Sequence, residues 1–275
     1  MKATTFQLVH HWVLAITATC YVIASINLTA ITKVNFSFAW LIGAGTFFVY
    51  RLSVWQPVYN VEQRKLFLQK NPSLFEIGIL SLSILIPSYF IDVRTLILIF
   101  LTGLLSTLYF FRLNLKNKEI GGLRIIPAFK NIFLAASWSF ATIYLPYIFC
   151  HSSTPILFLL FSRFVFILAI CFGVDMRDVQ RDIKTGTKTI AILIGFKKTK
   201  IIAIILSVVF IALTIITKHV QQLPCKSNFE HNTLLITGII LIGFLLYLSP
   251  KHKTSTYTLL LDGCMFIQAV LLVAG

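Results

Sequence analysis

Apolar runs of membrane-spanning length follow one another along almost the whole chain, and they leave very few folds open to it. A helix needs about 20 mostly apolar residues to cross the hydrocarbon core. Runs of that order lie at approximately 8–31, 36–55, 76–91, 94–111, 126–149, 154–173, 200–217, 233–249 and 256–274. The third is short and closes at Pro87, so it is either tilted or broken, and eight spans stand as the alternative to nine. Membrane strands alternate apolar and polar residues, whereas Thr95–Phe111 and Ile201–Ile216 are apolar on every side, which excludes a barrel. With 57% hydrophobic and 12% charged residues over 275 positions, the chain also lacks the polar surface of a water-soluble domain. The sequence therefore predicts an all-α, polytopic membrane protein of about nine transmembrane helices. It is expected to form a single membrane-embedded domain over 1–275, because no linker is long enough to set a second one apart.

Orientation follows from charge, since Lys and Arg collect in the short loops that remain in the cytoplasm. With the N-terminus inside, only Lys33, Arg94, Lys218 and Lys226 fall outside, and Arg163 falls within the sixth run. That leaves 19 of the 24 basic side chains on the cytoplasmic side. The formal net charge of +15 is thus read as topology and attraction to anionic lipid, and no nucleic acid is expected as a partner. The expected location is the inner (plasma) membrane, multi-pass, with the N-terminus and the active face cytoplasmic. Three of the five cysteines lie within apolar runs, and none has the spacing of a zinc site, so they are read as packing residues.

Acids are scarce. Of nine Asp and Glu, three fall within eight residues: Asp175, Asp178 and Asp182. On a helix these positions are i, i+3 and i+7, which places three carboxylates on one face within two turns. Like charges so close are costly unless a cation or a ring of basic groups neutralises them. Hard oxygen ligands suit Mg²⁺, which takes one or two carboxylates, waters and the oxygens of a phosphorylated substrate. The interspersed Arg177, Arg181, Lys184 and Lys188 suit the same phosphates. A solvated loop of mutually paired charges is the plainer alternative. The position at the end of an apolar run and the one-face spacing weigh against it.

Asp175-x-x-Asp178-x-x-x-Asp182-x-x-x-Gly186-x-x-Thr189, with Gly195 six residues on, resembles the second aspartate-rich motif of the UbiA-type intramembrane prenyltransferases. Tyr109-Phe-Phe-Arg112-Leu-Asn-Leu-Lys116 is similar to the tyrosine and basic segment after that family's fourth helix. Pro127-x-x-Lys130-Asn131, with Trp138 and Ala141-Thr142 beyond it, resembles a divergent bacterial branch, and the nine-helix, N-in layout matches along the chain. The resemblance implies a UbiA-type helical bundle in which an isoprenoid diphosphate enters a cavity between helices. There Mg²⁺ held by two aspartate-rich motifs binds the diphosphate, the allylic carbon–oxygen bond ionises, and an aromatic or other lipophilic acceptor attacks the cation. On this resemblance Asp175, Asp178 and Asp182 are the catalytic and metal-binding residues. Arg112, Lys116, Arg124, Lys130, Arg181 and Lys188 are the diphosphate contacts.

The departure from the family lies at its first motif. Tyr50–Lys65 contains no aspartate, Arg51 stands where the motif should begin, and Glu62 is the one acid. Three consequences stay open: Glu62 as a lone replacement, Arg51 contacting the diphosphate beside a single metal cluster, or loss of ionisation chemistry. The last would leave a non-catalytic isoprenoid-lipid-binding protein on the same fold. Two intramembrane charges remain, each a functional candidate by cost alone. Asp262 is expected to face the cavity or pair with a basic partner, and Arg163 to snorkel outward or meet a helix-end carbonyl.

Overall fold

The computed structural model describes residues 3–29, 35–53, 74–110, 113–115, 118–120, 129–150, 156–184, 188–220 and 228–275. In chain order the elements are α1 (Ala3–Thr29), α2 (Phe36–Ser53), α3 (Leu74–Ser88) and α4 (Val93–Phe110). A short antiparallel hairpin follows, β1 (Leu113–Leu115) against β2 (Lys118–Ile120), with Leu113 opposite Ile120. Next come α5 (Phe129–Ser139), a π-helical turn at Phe140–Tyr144, α6 (Leu145–Phe149) and α7 (Leu157–Lys184). The chain ends with α8 (Ile190–Ile194), α9 (Phe196–Val220), α10 (Asn228–Tyr247) and α11 (Thr254–Ala274).

The fold is the all-helical one read from the sequence, and each apolar run coincides with helix. Among the described residues, six segments are long and apolar enough to cross a membrane: Leu8–Leu28, Phe129–Phe149, Leu157–Ile183, Phe196–Lys218, Asn228–Tyr247 and Thr254–Ala274. The remaining runs fall on α2, α3 and α4, of which α4 is apolar over Val93–Thr107. Large apolar side chains such as Leu82, Phe100, Leu157, Ile239 and Leu259 are exposed, as expected where lipid is the solvent. The chain is an integral membrane protein.

Local chemistry sets several boundaries. Asn35 Oδ1 accepts a 3.0 Å hydrogen bond from the Phe38 amide and Asp92 Oδ2 one of 2.9 Å from Thr95, so each caps a helix start whose first amides lack partners. The π turn lies just ahead of Pro146, whose ring crowds the carbonyl four residues back, at Thr142. Gly195, with φ +83°, joins α8 to α9 through a conformation that a side chain would strain. The sixth apolar run ends at 173, and α7 continues past it to Lys184, as the one-face reading of the three aspartates required; the i, i+3 pair of Asp178 and Arg181 lies on this extension.

The described residues fall into two compact units, Met1–Thr19 with Asn35–Gly122 and Cys20–Val34 with Leu123–Gly275. In the first, α2 packs on α3 and α4. Gly43 lets α1 approach closely, since a Cβ there would lie 2.0 Å from Thr19 Oγ1. This unit holds a cavity of about 250 Å³ lined by Trp12, Ile16, Trp40, Phe47 and Ile79, with Arg51 among its polar lining.

In the second unit α7 packs against α5, α9 and α11, and α10 against α9 and α11. Phe166 and Phe210 meet at 4.8 Å between centroids, and Leu241, Leu245 and Leu261 are fully buried in the same unit. Arg163 neither reaches outward nor meets a helix end. It is buried, with its guanidinium carbon 3.5 Å from the centroid of the Tyr21 ring.

Candidate functional site

α7 carries Asp175, Asp178 and Asp182 along one face, and all three are buried, at 1%, 5% and 1% exposure. Carboxylates removed from water are tolerated only when paired and hydrogen-bonded. The pairing comes from three helices. At the start of α5, Lys130 Nζ donates to Asp175 Oδ1 at 2.6 Å and Asn131 Nδ2 donates to Asp175 Oδ2 at 2.7 Å. The same ammonium lies 3.7 Å from Asp182 Oδ2. Both α5 residues are themselves buried.

Asp178 is held from its own helix. Arg177 Nε donates to Oδ1 at 2.9 Å and Nη2 to Oδ2 at 3.2 Å, while Arg181 Nη2 donates to Oδ2 at 2.6 Å. Arg177 then crosses to α11, where Nη1 donates to Thr258 Oγ1 at 2.8 Å and lies 3.8 Å from Asp262 Oδ2. Asp262, expected to face a cavity or a basic partner, has Arg177 as its partner. Arg181 Nε is 3.9 Å from Asp182 Oδ1. The two arginines differ in access: the Arg177 side chain is 12% exposed and that of Arg181 57%. Arg177 is therefore spent on the protein, and Arg181 is open to a ligand.

Three cations, Lys130, Arg177 and Arg181, thus face the four carboxylates of Asp175, Asp178, Asp182 and Asp262. Of the two means of neutralisation that the spacing left open, a bound cation or a ring of basic groups, these side chains supply the second among the described residues. Among the described residues, no three His, Cys, Asp or Glu side chains converge into a ready metal centre. The donor set is nonetheless all hard oxygen: Asp178 Oδ2 accepts from both arginines, whereas Asp178 Oδ1 accepts from Arg177 and keeps a second lone pair. A cation that asks the protein for one or two carboxylates fits Asp178 and Asp182.

Of the sequence-predicted contacts, Lys130 and Arg181 are brought to the aspartates, and Lys188 is exposed ahead of α8. Arg112, Lys116 and Arg124 lie outside the described residues, as do Gly186 and the segment around Glu62. Thr189, the last polar residue of the motif, is buried at the start of α8, and its hydroxyl has no hydrogen-bond partner among the described residues. Sequence reasoning missed the roles of Asn131 and Thr258, whose amide and hydroxyl complete the network. Adjacency of Asn131 to Lys130 was the signal for the first, and nothing local marked the second.

The model of the UbiA prenyltransferase family matches residues 73–270. Among solved structures, a UbiA homologue from Archaeoglobus fulgidus bound to GPP and Mg²⁺ shares 10% identity, with 98% of this chain and 100% of that one covered and a TM-score of 0.63. A structure of the same homologue bound to DMAPP and Mg²⁺ gives 11% identity, 98% and 99% coverage and a TM-score of 0.57. A digeranylgeranylglyceryl phosphate synthase shares 17% identity over 98% of both chains, with a TM-score of 0.57. At such identities the likeness is one of fold. A search of curated proteins finds no significant match.

Proposed function

Because the chain belongs to the UbiA prenyltransferase family, we propose that it transfers a prenyl group from an isoprenoid diphosphate to a lipophilic acceptor within the membrane. The observation that carries this reading is the buried row of Asp175, Asp178 and Asp182 on α7, compensated by side-chain cations and edged by the exposed guanidinium of Arg181. The ligands named for the A. fulgidus homologue, GPP and DMAPP with Mg²⁺, support an allylic diphosphate as donor.

Arg181 would bind the donor's phosphate oxygens through a planar fork that matches them. Lys188, Arg112, Lys116 and Arg124 are further diphosphate contacts by resemblance. Mg²⁺ held by Asp178 and Asp182 would, when bound, add positive charge against the leaving diphosphate. Arg177, fixed by Thr258 and Asp262, orients the Asp178 carboxylate. The allylic carbon–oxygen bond breaks with its electron pair leaving on the diphosphate. The acceptor nucleophile then bonds to the allylic carbon and loses its proton. Apolar helices around the site exclude the water that would otherwise capture the cation. The distribution of Lys and Arg supports a cytoplasmic face for this chemistry.

The test is calorimetric binding of a short allylic diphosphate to the protein in detergent, with and without Mg²⁺, for wild type and Asp178→Asn/Asp182→Asn. Mg²⁺-dependent binding that the double variant loses is the expected result. A folded wild type without such binding would sink the transfer reading. The lack of aspartate over Tyr50–Lys65 favours one second reading, a non-catalytic isoprenoid-lipid carrier. It predicts lipid binding indifferent to Mg²⁺.

A further inference from the structure

The ammonium of Lys130 occupies ground that a second metal ion would need. It makes a 2.6 Å charge-assisted bond to Asp175 and stands 3.7 Å from Asp182, so one positive charge serves two carboxylates about two turns apart on α7. Lys130 is 8% exposed and cannot swing into water without leaving Asp175 buried and half-satisfied. The other oxygen of Asp175 is taken by Asn131, so both of its oxygens are turned toward α5.

We propose that Lys130 is a resident cation of this site, which keeps a divalent ion out of the gap between Asp175 and Asp182 and confines any metal to Asp178 and Asp182. An ammonium suits the task because it is a compact point charge with three donors, able to sit between carboxylates as a small cation does. Asp175 on this reading holds Lys130 in place and is not itself a metal ligand. The consequence extends to the donor: part of the positive charge that the diphosphate meets is covalently supplied and independent of metal concentration. The same accounting suits a chain whose segment Tyr50–Lys65 offers Arg51 and a single acid, Glu62. This inference rests on the proposed transfer reading for its catalytic meaning, but its physical content is ion binding and is tested as such.

The experiment is Mn²⁺ binding to the purified full chain without substrate, followed by electron paramagnetic resonance, for wild type, Lys130→Met and Lys130→Met/Asp175→Asn. Removing the ammonium uncovers two carboxylates, so Lys130→Met should gain at least a tenfold tighter or an additional Mn²⁺ site. The double variant should fall back to wild-type binding. Thermal unfolding supplies a second readout: Mg²⁺ should raise the unfolding temperature of Lys130→Met by several degrees and that of wild type far less. Equal Mn²⁺ binding by wild type and Lys130→Met would overturn the proposal. So would a Lys130→Met protein that is unstable and that Mg²⁺ does not rescue. An added arm with allylic diphosphate separates the two readings, since loss of metal-dependent donor binding in wild type speaks against prenyl transfer and leaves the substrate-free comparison intact.

Discussion

The Tyr21 hydroxyl donates a 2.8 Å hydrogen bond to Gln268 Oε1, joining two residues 247 positions apart. Gln268 Nε2 donates to Thr237 Oγ1 at 2.7 Å, and that hydroxyl donates to the Thr233 carbonyl at 2.8 Å, so α1, α10 and α11 share one buried polar chain. Inside a bilayer no water replaces a lost partner. Gln268→Leu should therefore cost about 1 kcal/mol, the scale of interhelical hydrogen bonds in membranes, while Gln268→Leu/Tyr21→Phe should recover part of it because no hydroxyl is left unsatisfied. Thermal unfolding of the three variants in detergent measures both quantities. Strictly additive losses would show that the two side chains are not coupled.

Close approach of α9 and α10 depends on Gly238. A Cβ at that position would lie 2.7 Å from Ile211 Cγ1 and 3.1 Å from Phe210 Cδ1. Gly238→Ala should destabilise the protein by about 1–3 kcal/mol through overpacking, and Ile211→Ala in the same chain should relieve it. Gly243, on the same helix, has nothing within 4 Å of its would-be Cβ. Gly243→Ala should be neutral or stabilising by up to about 1 kcal/mol, as the helix propensities predict. A shared destabilisation by both substitutions would point to the backbone and not to the seam.

These two cases show what the sequence made legible and what it did not. Apolar runs separate helices cleanly because nothing else survives in lipid, and the aspartate row stood out because acids are rare in such a chain. The spacing also gave the right face of α7, since i, i+3 and i+7 leave little choice. Partners across 44 or 45 positions, such as Asn131 and Lys130 with Asp175, carry no periodicity that links them. Hydropathy alone stops at the membrane edge near 173, so the continuation of α7 to Lys184 was legible only through the spacing of its charged residues. Arg163 was misjudged because a cation over an aromatic ring needs a specific tyrosine from another helix, and a sequence with 38 positions of Phe, Trp or Tyr gives too many choices to single out Tyr21.

Arg177 and Arg181 both touch Asp178, yet they should fail in different ways. Arg177 spreads its guanidinium over Asp178, Thr258 and Asp262 and is almost fully enclosed. Lysine cannot span three partners in a plane, so Arg177→Lys should destabilise the protein by roughly 2 kcal/mol or more. Arg181 is largely exposed, and its ion pair is worth little to stability, about 0–1 kcal/mol. Arg181→Ala should leave the unfolding temperature nearly unchanged and weaken allylic diphosphate binding by about tenfold or more, the scale of a charge-assisted bond to a phosphate. Calorimetry beside thermal unfolding separates these outcomes. A large stability loss in Arg181→Ala, with donor binding intact, would reverse the assignment.

Arg163 presents the opposite case, a buried charge that contributes little. Its guanidinium lies 3.5 Å from the Tyr21 ring centroid, and Nη1 has no hydrogen-bond partner among the described residues. A ring face returns about 2 kcal/mol when desolvated, less than the several kcal/mol that removing the ion from water costs. Arg163→Met keeps the length and apolar stem while discarding the charge, so stability should stay level or rise by about 1–4 kcal/mol. Arg163→Lys should lower it, because an ammonium loses the flat stacking and keeps the desolvation cost. Neither change should alter donor binding, since twelve helical residues, about 18 Å, separate Arg163 from Asp175 along α7. Thermal unfolding with diphosphate calorimetry on both variants tests this. A Met variant that loses more than about 2 kcal/mol would mean that the charge is balanced after all, because only a paired ion costs that much to remove.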